Sequence, residues 1–200
     1  MVVCKSTNAG ISWETRSFPG NQANYSTCCE AIDVAPGNAS IVYAGGQIDG
    51  YPKIYRSANT GTTWTDVTDN LATMLPRYHA VYAIWVSPYD PGLVLAGTSG
   101  GVFRWASYGR GQNSTWSPTA ITYPTQDFAY DLARGILYAA TYRGVFATDD
   151  AGGSWKELND GLGCRDSLRI DLDSDNGLLF IGTNGGSVWR LDVNAAEPTN

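Results

Sequence analysis

Several features are scarce in this 200-residue chain, and each scarcity argues against a class of protein. Charged residues make up 16% of it, and Lys and Arg form no cluster. With a net charge of −6, this argues against binding to nucleic acid or to anionic membranes. No apolar run approaches the ~18 residues of a membrane span, and no segment has the length and 3.6-residue period of a helix. The four cysteines fit no zinc spacing, so no metal site and no cofactor are predicted.

Glycine and aromatic residues, in contrast, are plentiful. The chain has 23 glycines, and aromatic residues make up 12% of it. This composition suits many short strands joined by tight turns. Two hundred residues are also enough to bury the core of a single domain.

Three copies of one eight-residue pattern recur along the chain. They occupy residues 6–13, 57–64 and 148–155 and read STNAGISW, SANTGTTW and TDDAGGSW. The Asn or Asp can accept hydrogen bonds from backbone N–H groups further along the turn, and the Gly can adopt a positive φ. The Trp offers a large apolar ring to a core. Each copy is therefore predicted to be a self-satisfied turn with a hydrophobic anchor. The residues with these structural roles are Ser6, Asn8, Gly10, Trp13, Ser57, Asn59, Gly61, Trp64, Thr148, Asp150, Gly152 and Trp155.

Three families of strand-like segments recur around these turns. The first reads AIDV, AIWV, AYDL and RIDL and begins at residues 31, 83, 129 and 169. The second reads IVYAGG, LVLAGT, ILYAAT and LLFIGT, and the third reads KIYRS, GVFRW, GVFAT and SVWRL. Residues 2–6 fit the slot of the third family. Short apolar runs ending in small residues are typical of strands buried on both faces.

The order within one module is therefore strand, turn, strand, loop, strand, eight-residue turn, strand. Such a module predicts a four-stranded antiparallel blade, and its repetition predicts an all-β propeller of about four blades in a single domain. The predicted blades are residues 1–20 (partial), 26–70, 78–122, 125–160 and 165–193 (partial). The third module has a lengthened turn, with Ser107 and Trp116 at its ends. Four tryptophans are predicted to anchor the outer strands, namely Trp13, Trp64, Trp116 and Trp155.

The first and last partial blades leave two arrangements open. Residues 165–193 close the ring with residues 1–20, or the chain is a portion of a longer propeller or of an assembly that completes the ring between chains. The second arrangement leaves blade edges open to self-association. Cys4 and Cys164 fall near the two ends in the closed ring and are a candidate disulfide. The adjacent Cys28 and Cys29 are predicted to be small strand residues, with a redox pair or a metal contact as the alternatives.

The eight-residue pattern resembles the Asp-box, or BNR repeat, of sialidases, sortilin-type receptors, xyloglucanases and photosystem II assembly factors. The resemblance covers nearly the whole chain at the level of repeats. It implies that the boxes are structural and lie away from any active site. The chain shows no signal peptide, and the resemblance implies an extracellular or periplasmic location if the chain is a fragment.

In propellers, ligands usually bind at the channel mouth, on loops that precede the innermost strands and on loops between second and third strands. The repeat alignment places a mixture of carboxylates, guanidiniums and aromatic rings there. The main candidates are Glu30, Asp49, Arg77, His79, Tyr142, Arg143 and Arg165. Beside them are expected Cys28, Cys29, Tyr51, Lys53, Tyr78, Ser99, Gln126, Asp127, Asp166 and Asn184. His79 is the only histidine and a candidate general base, but no nucleophile partner for it is evident in the sequence.

Two functions compete. The first is a non-catalytic binding or assembly module for a protein or carbohydrate ligand at the channel mouth. The alternative is a xyloglucanase-like or sialidase-like glycoside hydrolase, or an inactive fragment of one. Glycoside cleavage needs two carboxyl groups, and Asp127 and Asp166, at equivalent positions of consecutive blades, are the candidates. The Arg-Ile-Pro motif of sialidases is absent. The arginine-rich patch of photosystem assembly factors and the cysteine-rich module of sortilins are not seen either.

Overall fold

A computed structural model describes residues 2–19, 27–106 and 114–194, with the backbone alone for residues 27 and 28. This part of the chain is all-β apart from one helical turn, α1 at Leu71–Met74, which is too short to show a helical period in the sequence. No helix in the described residues is long and apolar enough to cross a membrane. The lengthened turn predicted to follow Ser107 lies outside the described residues.

The chain divides into two units, which are described separately. The first comprises Met1–Ser99 and Phe103–Ser117, and the second comprises Gly100–Val102 and Pro118–Asn200. The strands are hydrogen-bonded into five sheets, numbered I to V in chain order.

Each sheet contains strands that follow one another in the sequence. Sheet I contains β1 (Val2–Lys5) and β2 (Glu14–Ser17), and sheet II contains β3 (Thr27–Val34), β4 (Val42–Ile48), β5 (Tyr51–Ser57) and β6 (Thr65–Asp66). Sheet III contains β7 (Val81–Val86), β8 (Leu93–Thr98), β9 (Gly101–Ala106) and β10 (Thr115–Pro118). Sheet IV contains β11 (Thr125–Asp131), β12 (Ile136–Thr141), β13 (Gly144–Thr148) and β14 (Lys156–Glu157). Sheet V contains β15 (Ser167–Asp173), β16 (Leu178–Thr183) and β17 (Val188–Asp192). The prediction of antiparallel four-stranded sheets is confirmed. The number of blades and the closing of the ring stay predictions.

The first strand of each of sheets II to V carries one extra residue opposite its partner strand. The register shifts fall at Glu30, Tyr82, Gln126 and Leu168. A bulge bends a strand and redirects the side chains next to it. All four bulges lie near the start of the strand, close to the segments predicted to form the ligand-binding rim.

The core of the first unit lies between sheets II and III. Tyr43, Ile54 and Val94 are completely buried. Gly45 allows the sheets to approach closely, because a Cβ atom there would lie 2.7 Å from the Val81 side chain. Close packing of apolar side chains between two sheets is the main source of stability in such a layer.

The core of the second unit lies between sheets IV and V. Tyr138, Leu179 and Ile181 are buried, and Trp189 and Leu191 pack partly buried against them. On β16 and β17 buried and partly buried residues alternate with exposed ones, as the period of a strand requires. On β12, in contrast, residues 137–141 are all buried, as the sequence predicts for a strand buried on both faces.

The four tryptophans predicted as anchors have different surroundings. Trp116 is 1% exposed, Trp64 is 7% exposed and lies 4.9 Å from the Phe18 ring, and Trp155 is half-buried. Trp13 is 63% exposed, so the prediction that it is buried is wrong. The physical reason is that Trp13 directly precedes β2 of sheet I, and two short strands offer too little apolar surface to cover an indole.

The cysteines form no bridge in the described residues. Cys4, Cys29 and Cys164 are free thiols, so the candidate disulfide between Cys4 and Cys164 is not formed. Each of these two thiols has a polar neighbour nearby instead. Cys4 Sγ lies 4.0 Å from Thr15 Oγ1, and Cys164 Sγ donates to the Asn184 carbonyl at 3.5 Å. The side chain of Cys28 lies outside the described residues.

Candidate functional site

The three eight-residue turns share one hydrogen-bond pattern. In the second copy, Ser57 Oγ accepts the N–H groups of Asn59 and Gly61 at 3.2 and 2.9 Å. Asn59 Oδ1 accepts the N–H of Thr63 at 2.8 Å. The same bonds are made in the first copy by Ser6, Asn8, Gly10 and Ser12, and in the third by Thr148, Asp150, Gly152 and Ser154. The polar side chains of each turn are thus bonded within the turn, whereas Nε1 of Trp64 and of Trp155 is buried and has no partner in the described residues.

The backbone of each turn is left-handed at two successive residues. The glycines have φ values of 85°, 76° and 84°, and the residues before them, Ala9, Thr60 and Ala151, have values of 55°, 54° and 54°. Consecutive left-handed residues reverse the chain tightly. In the sequence, the glycine of each box indicates its own left-handed conformation. The left-handed conformation of the residue before the glycine is not indicated by its residue type, and the hydrogen bonds of the turn impose it.

The third turn differs from the others because it carries Asp150 where they carry Asn. Hydrogen bonds, led by the one from the Ser154 N–H, hold the pKa of Asp150 at about 2. A carboxyl pKa below its unfolded value of about 3.9 contributes stability above that pH, and the contribution is lost as the pH falls towards the folded value. We therefore expect Asp150→Asn to reduce the loss of thermal stability between about pH 4 and about pH 2, because the asparagine has no carboxylate to protonate. Melting temperatures of the two proteins across this range test it, and parallel pH profiles would contradict it.

One group of predicted rim residues comes together in the first unit. Arg77 Nη2 donates to Asp49 Oδ1 at 3.1 Å, and Arg77 Nε donates to the Asp49 carbonyl at 3.2 Å. The guanidinium carbon lies 5.9 and 5.3 Å from the ring centres of Tyr51 and Tyr78. Tyr78 is 81% exposed and Tyr51 is 43% exposed. This Arg77 cluster (Asp49, Tyr51, Arg77 and Tyr78) thus presents aromatic surface beside a paired charge.

His79, next to the Arg77 cluster in the sequence, has a partner that the sequence did not reveal. Its Nδ1 lies 2.7 Å from Ser99 Oγ, and the Ala80 N–H donates to the same oxygen at 3.2 Å. A hydroxyl both donates and accepts, so the tautomer of the imidazole decides which of the two atoms is the donor in this contact. The contact joins the segment before β7 to the turn after β8.

A second group of predicted rim residues lies in the second unit. Arg143 stacks over Tyr123, with its guanidinium carbon 5.2 Å from the ring centre. The Arg143 carbonyl accepts from Asn159 Nδ2 at 3.0 Å, and Asn159 Nδ2 also donates to Glu157 Oε1 at 2.7 Å. Arg165 Nη1 donates to the same carboxylate oxygen at 3.1 Å. The two predicted arginines are therefore linked through side chains that follow the third box.

Asp127, one of the two candidate catalytic carboxylates, is bonded to backbone on both oxygens. It accepts the N–H of Phe128 at 2.9 Å and that of Ile170 on sheet V at 3.2 Å. Asp33 in the first unit does the same with Val34 and Val86, at 2.8 Å each. Burial raises the pKa of Asp127 against the lowering effect of these two bonds. Both carboxylates thus connect one sheet to the next.

Asp166, the other candidate, has a different set of partners. Its Oδ2 accepts from Asn184 Nδ2 at 3.0 Å, and its carbonyl accepts the Asn184 N–H at 2.8 Å. Oδ1 is buried and has no hydrogen-bond partner in the described part of the chain. The two carboxylates are therefore held by separate networks.

The remaining predicted rim residues stand apart from these clusters. Glu30 is exposed at the bulge of β3, and Tyr142 is 48% exposed. Lys53 pairs with Asp66 at 2.7 Å. In residues 2–19, 27–106 and 114–194, no group of three or more His, Cys, Asp or Glu side chains could hold a metal ion.

Three participants in these clusters were missed at the sequence level. Tyr123 lies on the loop before β11 but was not chosen among the candidates of that loop, and Glu157 and Asn159 follow the third box, outside the rim positions of the repeat alignment. Asn159 could have been predicted by comparison with Thr68, the polar residue at the equivalent position of sheet II. Ile54 N–H donates to Thr68 Oγ1 at 3.0 Å, as Val145 N–H donates to Asn159 Oδ1 at 2.8 Å.

Comparison with known proteins identifies the fold. No protein-family model matches the chain, and no curated protein matches it. Among solved structures, an ancestral GH74 enzyme is 18% identical with a TM-score of 0.61, and the match covers 89% of this chain and 24% of that one. PorZ, an essential surface component of the type-IX secretion system of Porphyromonas gingivalis, is 17% identical with a TM-score of 0.62, over 92% of this chain and 28% of PorZ. Chaetomium thermophilum Sqt1 is 15% identical with a TM-score of 0.60, over 88% of this chain and 48% of Sqt1.

The chain therefore spans less than half the length of each of these proteins. At these identities the likeness supports a β-propeller type of fold and nothing finer. The matched proteins include both an enzyme and a secretion component, so the fold does not select between catalysis and binding.

Proposed function

We propose that this chain is an Asp-box propeller module that binds a carbohydrate at its rim without cleaving it. The shared hydrogen bonds of the three eight-residue turns support the Asp-box assignment. Since the Ser, Thr, Asn and Asp side chains of these turns bond within their own turn, a structural role is sufficient to explain them. The candidate ligand-binding residues are therefore those of the rim clusters.

The Arg77 cluster is the observation that carries the proposal. Sugars bind to proteins by stacking their apolar faces on aromatic rings while their hydroxyls bond to neighbouring polar groups. Tyr51 and Tyr78 supply exposed rings, and Arg77 and Asp49 supply donors and acceptors between them. Because Asp49 balances the charge of Arg77, the surface suits an uncharged ligand better than a strongly acidic one. A protein ligand is the second candidate for the same surface.

Binding of oligosaccharides tests the proposal. We expect the chain to bind at least one member of a panel of neutral and acidic oligosaccharides in calorimetric titrations. Tyr78→Ala is expected to weaken that binding by about three- to tenfold, the effect of losing one aromatic stacking contact. Tyr89→Ala is the matched control, because Tyr89 is 76% exposed and lies outside the cluster. Equal losses in the two variants, or no binding to any oligosaccharide, would overturn the proposal.

The alternative, a glycoside hydrolase, is supported by one feature of Asp127. Its raised pKa is a property that a general acid needs. Asp127 also lines a surface cavity with Asp171 and Phe180. The backbone bonds to both of its oxygens, and their counterpart at Asp33, favour a structural role instead. The test is whether the chain cleaves the oligosaccharide that it binds. If it does, and if the Asp127→Asn or Asp166→Asn variant no longer does, the alternative would replace the binding proposal.

A further inference from the structure

The turn between the second and third strands of sheet IV differs in composition from its equivalents. It consists of Tyr142 and Arg143, whereas the equivalent turns read DG at 49–50, SG at 99–100 and NGGS at 184–187. Gly, Asn, Asp and Ser favour turns because they tolerate a left-handed backbone or bond to their own backbone. Tyrosine and arginine have neither property, so the reversal of the chain does not explain their presence on this turn.

The backbone of this turn is held by two buried polar side chains. The Arg143 N–H donates to Thr141 Oγ1 at 3.0 Å, and the Arg143 carbonyl accepts from Asn159 Nδ2 at 3.0 Å. Thr141 is 0% exposed and Asn159 is 4% exposed. Gly144 packs directly against Asn159, because a Cβ atom there would overlap the carboxamide. The backbone of Arg143 is thus fixed, which lowers the entropy that is lost when its side chain binds a ligand.

The side chain of Arg143, in contrast, is exposed. Its guanidinium carbon lies 5.2 Å from the ring centre of Tyr123, whose ring centre is 6.5 Å from that of Phe146. Among the described residues, no hydrogen bond or ion pair joins this guanidinium to another side chain. Arg77 also lies over a tyrosine ring, but Asp49 neutralises it. Arg143 therefore presents a positive charge that no carboxylate balances.

A second arginine lies in the same group of side chains. We call Tyr123, Tyr142, Arg143, Glu157 and Arg165 the Arg143 cluster. Arg165 Nη1 donates to Glu157 Oε1 at 3.1 Å, so Glu157 is neutralised by Arg165 rather than by Arg143. With two guanidinium groups and one carboxylate, the cluster has an excess of positive charge on a chain whose net charge is −6. A local excess of this kind attracts an anion.

The unbonded donors of Arg143 match a carboxylate. A guanidinium has five N–H donors in its plane, and two of them fit the two oxygens of a carboxylate. The contact with the Tyr123 ring leaves these donors unused, since an aromatic ring stacks against the face of a guanidinium. Tyr142, which is 48% exposed on the same turn, offers an aromatic face to a sugar ring. A sugar that carries a carboxylate, which is a uronic acid, satisfies both requirements.

We propose that the Arg143 cluster is a second ligand site, and that it binds a uronic acid residue of an acidic polysaccharide. Two N–H groups of Arg143 hold the carboxylate, and the sugar ring lies against Tyr142. The Arg77 cluster has a balanced charge and suits an uncharged saccharide instead. The two clusters belong to different units of the chain and take ligands of different charge, so this inference does not rest on the binding proposed for the Arg77 cluster.

Titrations with two matched oligosaccharides test the proposal. An oligomer of galacturonic acid and its methyl ester have the same sugar rings, but the ester lacks the charged carboxylates. We expect the full chain to bind the acid in calorimetric titrations at low ionic strength, and to bind the ester at least about tenfold more weakly. Added salt should weaken the binding of the acid, because it screens charges at a surface.

Three variants test the role of Arg143. Arg143→Gln removes the charge and should weaken binding of the acid by about tenfold or more. Arg143→Lys keeps the charge but not the planar pair of donors, so it should weaken binding by about threefold or more. The matched control is Arg190→Gln, which changes the net charge equally at another exposed arginine and should bind as the unaltered chain does. Thermal unfolding of each variant establishes that it is folded.

Each of the following outcomes overturns the proposal. The first is an affinity for the acid no higher than that for its ester, or the same loss in Arg143→Gln and Arg190→Gln. An affinity for acetate equal to that for the acid would show an unspecific contact with anions. Tighter binding of a peptide through its C-terminal carboxylate would assign the cluster to a protein partner. A loss in Tyr78→Ala without a loss in Arg143→Gln would assign the acidic ligand to the Arg77 cluster, and the binding proposed for that cluster would stand.

Discussion

Replacing Trp116 with alanine is expected to lower the free energy of unfolding by about 3–5 kcal/mol, the usual range for a fully buried aromatic residue. The indole is 1% exposed and stacks on Trp105. Its N–H is bonded to the Val67 carbonyl, which the truncation leaves without this donor. The loss combines a cavity between sheets II and III with a broken hydrogen bond.

Trp13→Ala provides the matched control for this prediction. Trp13 is also the last residue of a box, but it is 63% exposed, so its truncation should change the free energy of unfolding by about 0.5 kcal/mol or less. Urea unfolding of both variants measures the difference. If the two variants unfolded at the same urea concentration, the assignment of Trp116 as the anchor of the first unit would be wrong.

Replacing Asn159 with alanine is expected to lower the free energy of unfolding by about 2–5 kcal/mol. Asn159 is 4% exposed and bonds two backbone groups, the Val145 N–H at 2.8 Å and the Arg143 carbonyl at 3.0 Å. A buried polar group left without a partner costs about 1–3 kcal/mol, and alanine leaves both groups unpaired.

Asn159→Thr separates the hydrogen bonds from the shape of the side chain. At the equivalent position of sheet II, Thr68 accepts the Ile54 N–H through its hydroxyl at 3.0 Å. A threonine at position 159 should therefore keep one of the two bonds and restore about half of the lost stability. Thermal and urea unfolding of the two variants provide the comparison. An alanine variant as stable as the threonine variant would show that these bonds contribute nothing to the fold.

The turns and strands of this chain could be predicted from the sequence because they are determined by residues close together in the sequence. Each box closes its hydrogen bonds within eight residues, so the pattern of Ser57, Asn59, Gly61 and Thr63 carries the information for its own turn. The strands could be predicted for a similar reason, since a short apolar run that ends in small residues indicates a strand buried on both faces, as β8 and β12 are.

The bulges of the inner strands were not predicted. The extra residues at Glu30, Tyr82, Gln126 and Leu168 differ in size, charge and polarity. No residue type marks such a position, because a bulge is defined by the register of two paired strands.

The candidate rim residues were chosen from the repeats, whereas the contacts among them were not predicted. Arg77 was placed on a loop before an innermost strand and Asp49 on a loop between second and third strands, 28 residues away, but the two were not predicted to form an ion pair. The partner of His79 was missed, since Ser99 lies 20 residues further along. Asn159 was missed as well, because its role depends on Gly144, where a Cβ atom would overlap the Asn159 carboxamide.

The sequence by itself determined the all-β class, the box turns and the apolar runs of the strands, because these depend on hydrogen bonds and side chains of neighbouring residues. The tertiary structure alone decided which tryptophans are buried. Trp116 and Trp13 were both predicted to anchor an outer strand. Trp116 is enclosed between two sheets, whereas Trp13 lies beside a sheet of only two strands. Burial depends on the surface that surrounds a side chain, and that surface is formed by segments distant in the sequence.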